Sequence, residues 1–90
     1  ARIIALQDLN GDRVPLRGLD APGAELIEIQ LAKVDLSQSN LDAADLSNAD
    51  LEHANLSKAN LHQTKLSGAN LRHSNFSFAQ LMQANLSSAD

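Results

Sequence analysis

The chain has no cysteine, tryptophan or tyrosine, and Phe76 and Phe78 are its only phenylalanines. Without thiols there is no disulfide scaffold, no thiolate zinc site and no cysteine nucleophile. Proline and glycine are scarce too, two and four residues, and beyond residue 23 only Gly68 remains. No apolar run approaches the roughly 20 residues that span a bilayer, and no basic-plus-apolar leader opens the chain as given. The default expectation is therefore a cytoplasmic protein with no membrane partner. Eleven acidic against seven basic residues leave a net charge of −4 over 90 residues, which argues against a nucleic-acid partner. Starting at Ala1 rather than Met, the chain reads as processed or as part of something longer. What remains for a core is mostly leucine and alanine, in a chain short enough for one domain at most.

Those residues are strictly ordered. Large apolar side chains recur every five residues at Leu26, Leu31, Leu36, Leu41, Leu46, Leu51, Leu56, Leu61, Leu66, Leu71, Phe76, Leu81 and Leu86, without insertion or deletion. Two positions before each lies a second series of mostly small residues, among them Ala44, Ala49, Ala54, Ala59, Ala69, Ala79 and Ala84. Between the two stands mostly Asp, Asn or Gln, as at Asp35, Asn40, Asp45, Asn55 and Asn85. A repeat this regular decides the fold before any local propensity does.

Neither regular element suits a period of five. On an α-helix, successive leucines would stand about 140° apart around the cylinder. On a straight strand, an odd spacing sends alternate leucines to opposite faces. A chain that bends once per repeat can aim every leucine, and the small residue before it, at one interior. Bending always in one sense winds the chain into a prism whose coils stack at about 4.8 Å. With glycine so rare, the expected bends are type I-like turns, with type II only where glycine allows. The Asp/Asn series supplies short side chains that reach main-chain amides left over by continual turning.

The pattern A-(D/N)-L-x-x, as in Ala44-Asp45-Leu46-Ser47-Asn48, Ala54-Asn55-Leu56-Ser57-Lys58 and Ala84-Asn85-Leu86-Ser87-Ser88, resembles the pentapeptide-repeat family. The resemblance covers residues 24–90. It implies an all-β solenoid, a right-handed quadrilateral β-helix with four repeats per coil and residue n stacked on n+20, about three to four coils long. Residues 1–23 are expected to form an irregular N-terminal cap and a degenerate first coil. Ile3, Ile4, Leu6 and Leu9 would supply a capping strand or short helix before the Asn10-Gly11 turn, and Val14/Leu16 and Leu19/Ala21 keep a broken phase. At the other end nothing in the sequence reads as a lid. Exposed strand edges at a solenoid end call for a partner, so end-to-end homodimerisation or continuation in a longer chain is expected.

The outward positions offer little chemistry. His53 and His73 lie twenty residues apart below Lys33, which disfavours a cation, and no metal or other cofactor is expected there. Ser37, Ser57 and Ser77 form one hydroxyl column and Ser47, Ser67 and Ser87 another, without a base, an oxyanion loop or a pocket. An ice-binding wall would need threonine methyls and more rungs. The N-x-S triplets Asn55-Leu56-Ser57, Asn75-Phe76-Ser77 and Asn85-Leu86-Ser87 are generated by the repeat and carry no information. No enzymatic activity is expected.

Charge is more informative. Residues 20–52 hold eight acids against Lys33, and residues 53–90 hold Lys58, Lys65 and Arg72 against Asp90. Asp35, Asp42, Asp45, Asp50 and Glu52 are the candidate acidic partner patch, and Glu52 is expected to pair with Arg72 one coil on. Phe78 and Met82 are apolar residues at outward positions and form a candidate apolar contact. The expected function is a non-enzymatic structural scaffold, a rigid rod that binds a protein partner through its walls or ends. The resemblance implies one alternative, a mimic of duplex DNA that binds a type II topoisomerase such as gyrase. That role needs a long, strongly negative surface, which this charge distribution lacks.

Overall fold

The computed structural model describes residues 16–90, so the expected capping segment before Leu16 lies outside the described residues. From Leu16 onward the chain repeats one five-residue unit: a large inward residue, two corner residues, a small inward residue and a wall residue. Parallel bridges join wall residues twenty apart, from Asp20↔Asn40 to Lys65↔Asn85. Twenty residues are four units, so the coil has four walls, each a three-residue stretch centred on its wall residue, and four two-residue corners. The coil geometry already holds over 16–24, where Leu16 and Ala21 take the large position and Leu19 and Ala24 the small one.

The backbone amides of one unit show why this winding is stable. Leu36 N–H donates to Asn55 O in the next coil at 2.8 Å, and Gln38 N–H to Ser57 O at 2.8 Å. Asn40 N–H points the other way, to Leu19 O at 2.7 Å, while Ser39 N–H closes the corner on Leu36 O at 3.2 Å. Only the amide of the first corner residue is left over, and the preceding wall side chain takes it: Ser37 N–H donates to Asp35 Oδ1 at 3.0 Å. The same bond recurs from Ser47 to Asp45, Ser57 to Asn55 and His62 to Asn60. The Asp/Asn series exists because each unit has one amide that neither the turn nor the stacking can satisfy.

The corners correct one expectation. The second corner residue has positive φ whether or not it is glycine: Gly18, Gly23 and Gly68 lie at 69–75°, but Glu28, Lys33, Gln38, His53, Lys58 and Phe78 adopt 59–64° as well. Left-handed backbone at that position belongs to a type II turn, not type I. It costs an L-residue roughly 1–2 kcal/mol. The strain persists because that residue's own amide bonds to the next coil and the corner bond forms beside it.

The core is a double column of side chains along the axis. Leu31, Leu36, Leu41, Leu46, Leu51, Leu56, Leu61 and Leu66 are buried, as are Leu26, Ile29, Val34, Ala44, Ala49, Ala54, Ala59 and Ala69. Burying each leucine contributes roughly 1.5–3 kcal/mol. The last turn differs. Phe76, Leu81 and Leu86 occupy the large position, but Phe76 is half-buried and Leu81 and Leu86 are 37% and 43% exposed, because among the described residues no coil lies beneath them.

Candidate functional site

A prism built this way keeps its variable residues on corners and walls, so any site is a surface. The five candidate acids do not form one patch. Asp35, Asp45 and Asp50 are wall residues on three different walls, and Asp42 and Glu52 sit on two corners. They ring the rod at the level of the second coil, a belt rather than a docking face. Asp20, Glu25 and Glu28 extend its charge upward, and Lys58, Lys65 and Arg72 stand below it.

Two of these carboxylates have a structural task. Asp35 Oδ1 accepts the Ser37 hydroxyl at 2.6 Å in addition to its amide, and Asp45 treats Ser47 identically. The serine hydroxyl bonds, followed by the amide bonds, hold both carboxyls below the ordinary aspartate range. Arg17, 3.4 Å from Asp35, and Lys65, one coil below Asp45, add to the effect. Ser77 and Ser87 donate their hydroxyls to Asn75 and Asn85 in the same way. Ser37, Ser47, Ser77 and Ser87 are therefore turn braces, their protons already committed.

The expected Glu52–Arg72 pair is absent. Arg72 turns to Asp90 at 3.4 Å, a carboxylate on the adjoining wall within reach of its long side chain. Contacts that charge counting did not single out are Arg17–Asp35 at 3.4 Å, from a corner to a wall residue, and the stacked His62–Asp42 at 3.9 Å. His53 and His73 do stack, with ring centroids 4.8 Å apart and planes 14° from parallel. Among the described residues no group of three or more His, Asp or Glu side chains could hold a metal ion, and no helix is long and apolar enough to cross a membrane.

Amide side chains bind the coils together along two walls. Asn40 Nδ2 donates to Asp20 at 3.2 Å, Asn60 to Asn40 at 3.3 Å, and Asn70 to Asp50 at 3.4 Å. At the corners Gln63 Nε2 donates to Gln83 at 3.0 Å.

The apolar candidates lie on the last described coil. Phe78 is 87% exposed and Met82 68%, on the two corners that flank the wall of Gln80. Beside them opens a hollow of about 260 Å³ lined by Leu71, Ser74, Phe76, Leu81, Leu86 and Asp90. Leu81 and Leu86 keep the large position of the repeat and line this hollow, covered by a coil on one side only among the described residues.

Comparison with known proteins agrees with the geometry. The family described as pentapeptide repeats matches residues 16–48, 24–63 and 49–87, in eight copies. No curated protein sequence matches the chain significantly. Similar solved structures include a pentapeptide repeat protein from the cyanobacterium Cyanothece, at TM-score 0.60 and 21% identity, covering 100% of this chain and 95% of that one. HetL, a pentapeptide repeat protein involved in heterocyst differentiation regulation in Nostoc, aligns at TM-score 0.58 and 28% identity over 72% of this chain and 39% of its own. A pentapeptide repeat protein of the Arabidopsis thaliana thylakoid lumen aligns at TM-score 0.54 and 24% identity over 83% and 59%.

Proposed function

The chain belongs to the pentapeptide-repeat family and folds as its right-handed quadrilateral β-helix, and on that footing we propose that it is a non-enzymatic scaffold whose acidic belt binds a basic protein surface. The observation that carries this reading is the division of labour within the unit. Three of its five positions fix the fold, while the two corner residues face outward and vary freely. On the upper coils that freedom, with the wall positions, has gone to Asp20, Glu25, Glu28, Asp35, Asp42, Asp45, Asp50 and Glu52. A ring of like charge on a rigid support steers an oppositely charged partner from several directions. HetL, a relative involved in a regulatory process, is consistent with a role exercised through partners.

The test must spare the turn braces. Asp45 and Asp50 cap the amides of Ser47 and Glu52, so they are changed to Asn, which preserves the acceptor; Asp42 and Glu52 stand at corners and are changed to Lys. This four-site variant is expected to melt with wild type and to lose its partners in an affinity pull-down. Identical partner lists would refute the belt as a docking element.

Nothing in the geometry favours duplex mimicry. The acidic belt gives way to Lys58, Lys65 and Arg72 within about one coil, whereas a duplex carries one negative charge per ~1.7 Å along its length. A gyrase supercoiling assay is expected to show no effect of the protein.

A further inference from the structure

One wall of the prism carries Asp20, Asn40, Asn60 and Gln80, each flanked by a corner residue on either side. Down the rod its rungs are Gly18, Asp20 and Pro22; then Gln38, Asn40 and Asp42; then Lys58, Asn60 and His62; then Phe78, Gln80 and Met82. The upper two rungs hold the carboxylates and the lower two hold the cation and the large apolar groups. Phe78 and Met82 are the most exposed large apolar side chains among the described residues. At the same two corners three coils above stand the exposed Pro22 and Gly18, where an added Cβ would meet nothing within 4 Å. The wall is thus complementary to itself turned upside down.

We propose that this wall packs face to face on the same wall of a second copy, with the two rods antiparallel. The two-fold axis runs across the wall between its second and third rungs. It sets each corner column opposite the same column and reverses the order of the rungs, as a self-complementary two-fold interface requires. Phe78 then covers the partner's Gly18, and Met82 lies on the partner's Pro22. The Gln80 amide meets the partner's Asp20, Asn60 meets the partner's Asn40, and Lys58 meets the partner's Gln38. Beside the axis Asp42 faces the partner's His62.

Charge selects this axis over its neighbours. An axis through the second rung would set Asp42 on the partner's Asp42, and one through the third would set Lys58 on the partner's Lys58. A parallel pair would bring Lys58 to the partner's His62 and leave Asp42 facing the partner's Gln38. In the chosen register no like charges stand opposite one another. Asp42 and His62 already lie 3.9 Å apart within one copy, with side chains 43% and 37% exposed, so the second copy adds the same pair in the reverse order. Four rungs at a spacing of about 4.8 Å make a face smaller than the roughly 800 Å² per partner of a standard interface, so the dimer is a weak one. Asp35, Asp45, Asp50 and Glu52 stay outside the contact, and the pairing does not depend on what the acidic belt binds.

Sedimentation velocity on the 90-residue chain from about 1 µM to about 1 mM is expected to show a reversible rise from 9.6 kDa towards twice that mass. Asp42→Lys sets a cation against the partner's His62 at both crossings and is expected to weaken the dimer about tenfold. Adding His62→Asp reverses the pair as a whole and is expected to restore it. Cross-linking tests the direction of the rods. Met82→Cys and Pro22→Cys chains, mixed and treated with a short bismaleimide, are expected to join one of each, while neither variant alone joins to itself at a comparable rate. A mass of 9.6 kDa at every concentration, an Asp42→Lys variant that dimerises like wild type, or Met82→Cys joining itself as fast as it joins Pro22→Cys would overturn the proposal.

Discussion

Asp35 Oδ1 accepts both the amide of Ser37, at 3.0 Å, and its hydroxyl, at 2.6 Å, so one carboxylate oxygen closes the one backbone donor that its five-residue unit leaves open. Replacing Asp35 by Ala strands that amide and is expected to cost about 1–2 kcal/mol. Asn keeps the acceptor, as Asn55 and Asn75 do one and two coils below, and is expected to cost much less. Urea titrations at neutral pH distinguish the two outcomes.

The same bonds set an acid dependence. The carboxyls of Asp35 and Asp45 are held below the unfolded value of 3.8, so the folded chain binds fewer protons than the unfolded one there. Their stabilisation is complete above that value and is lost as pH falls through the lowered folded one. The double variant Asp35→Asn, Asp45→Asn is expected to lose less stability than wild type between about pH 5 and pH 2. Parallel curves would show that these two groups do not carry the dependence.

Backbone strain at the corners is removable. Gln38 has φ of 61°, and its side chain is exposed. Gln38→Gly is expected to raise the melting stability by up to about 1 kcal/mol, and Gln38→Val, β-branched at positive φ, to lower it by at least as much. Gly68→Ala runs the reverse way: alanine takes on the cost of φ +71° and its Cβ displaces the end of the Asn48 side chain, so it is expected to destabilise. Thermal melts of the three variants check the order.

Much of this was legible in the sequence, for a physical reason. Leu56 and Ala54 could be placed inside because only a bend per repeat puts a five-residue period on one side of a backbone. Asp35 and Asn55 could be assigned to stray amides because continual turning must leave some. The corner conformation was not legible. The scarcity of glycine pointed away from positive φ, yet the amide of Lys58, bonded to Ser77 at 2.8 Å, holds it at 59°. Nor was the partner of Arg72: a periodic rule aligns columns, whereas a long side chain reaches sideways to Asp90. The belt of acids was visible as a run of charge, but its wrapping around the walls follows only once the coil is closed.

Depth along the axis sets the cost of losing a leucine. Leu56→Ala, at 0% exposure in mid-rod, is expected to cost about 2–5 kcal/mol, and Leu56→Asp to abolish cooperative unfolding. Leu86→Ala, at 43% exposure, is expected to cost well under half as much as Leu56→Ala. Ser39→Ala goes the other way: the residue is 2% exposed and its buried hydroxyl has no hydrogen-bond partner among the described residues, so its removal is expected to stabilise by about 1 kcal/mol.

Cross-linking gives the sharpest test of the twenty-residue stack, since the chain has no cysteine of its own. With His53→Cys and His73→Cys, at the corner where the imidazoles now lie 4.8 Å apart, mild oxidation is predicted to close an intramolecular disulfide in the folded protein. His53→Cys paired with Gln63→Cys, half a coil away on the opposite corner, is predicted to stay reduced. Closure of the second pair as readily as the first, or failure of the first under native conditions, would contradict the fold and everything argued from it.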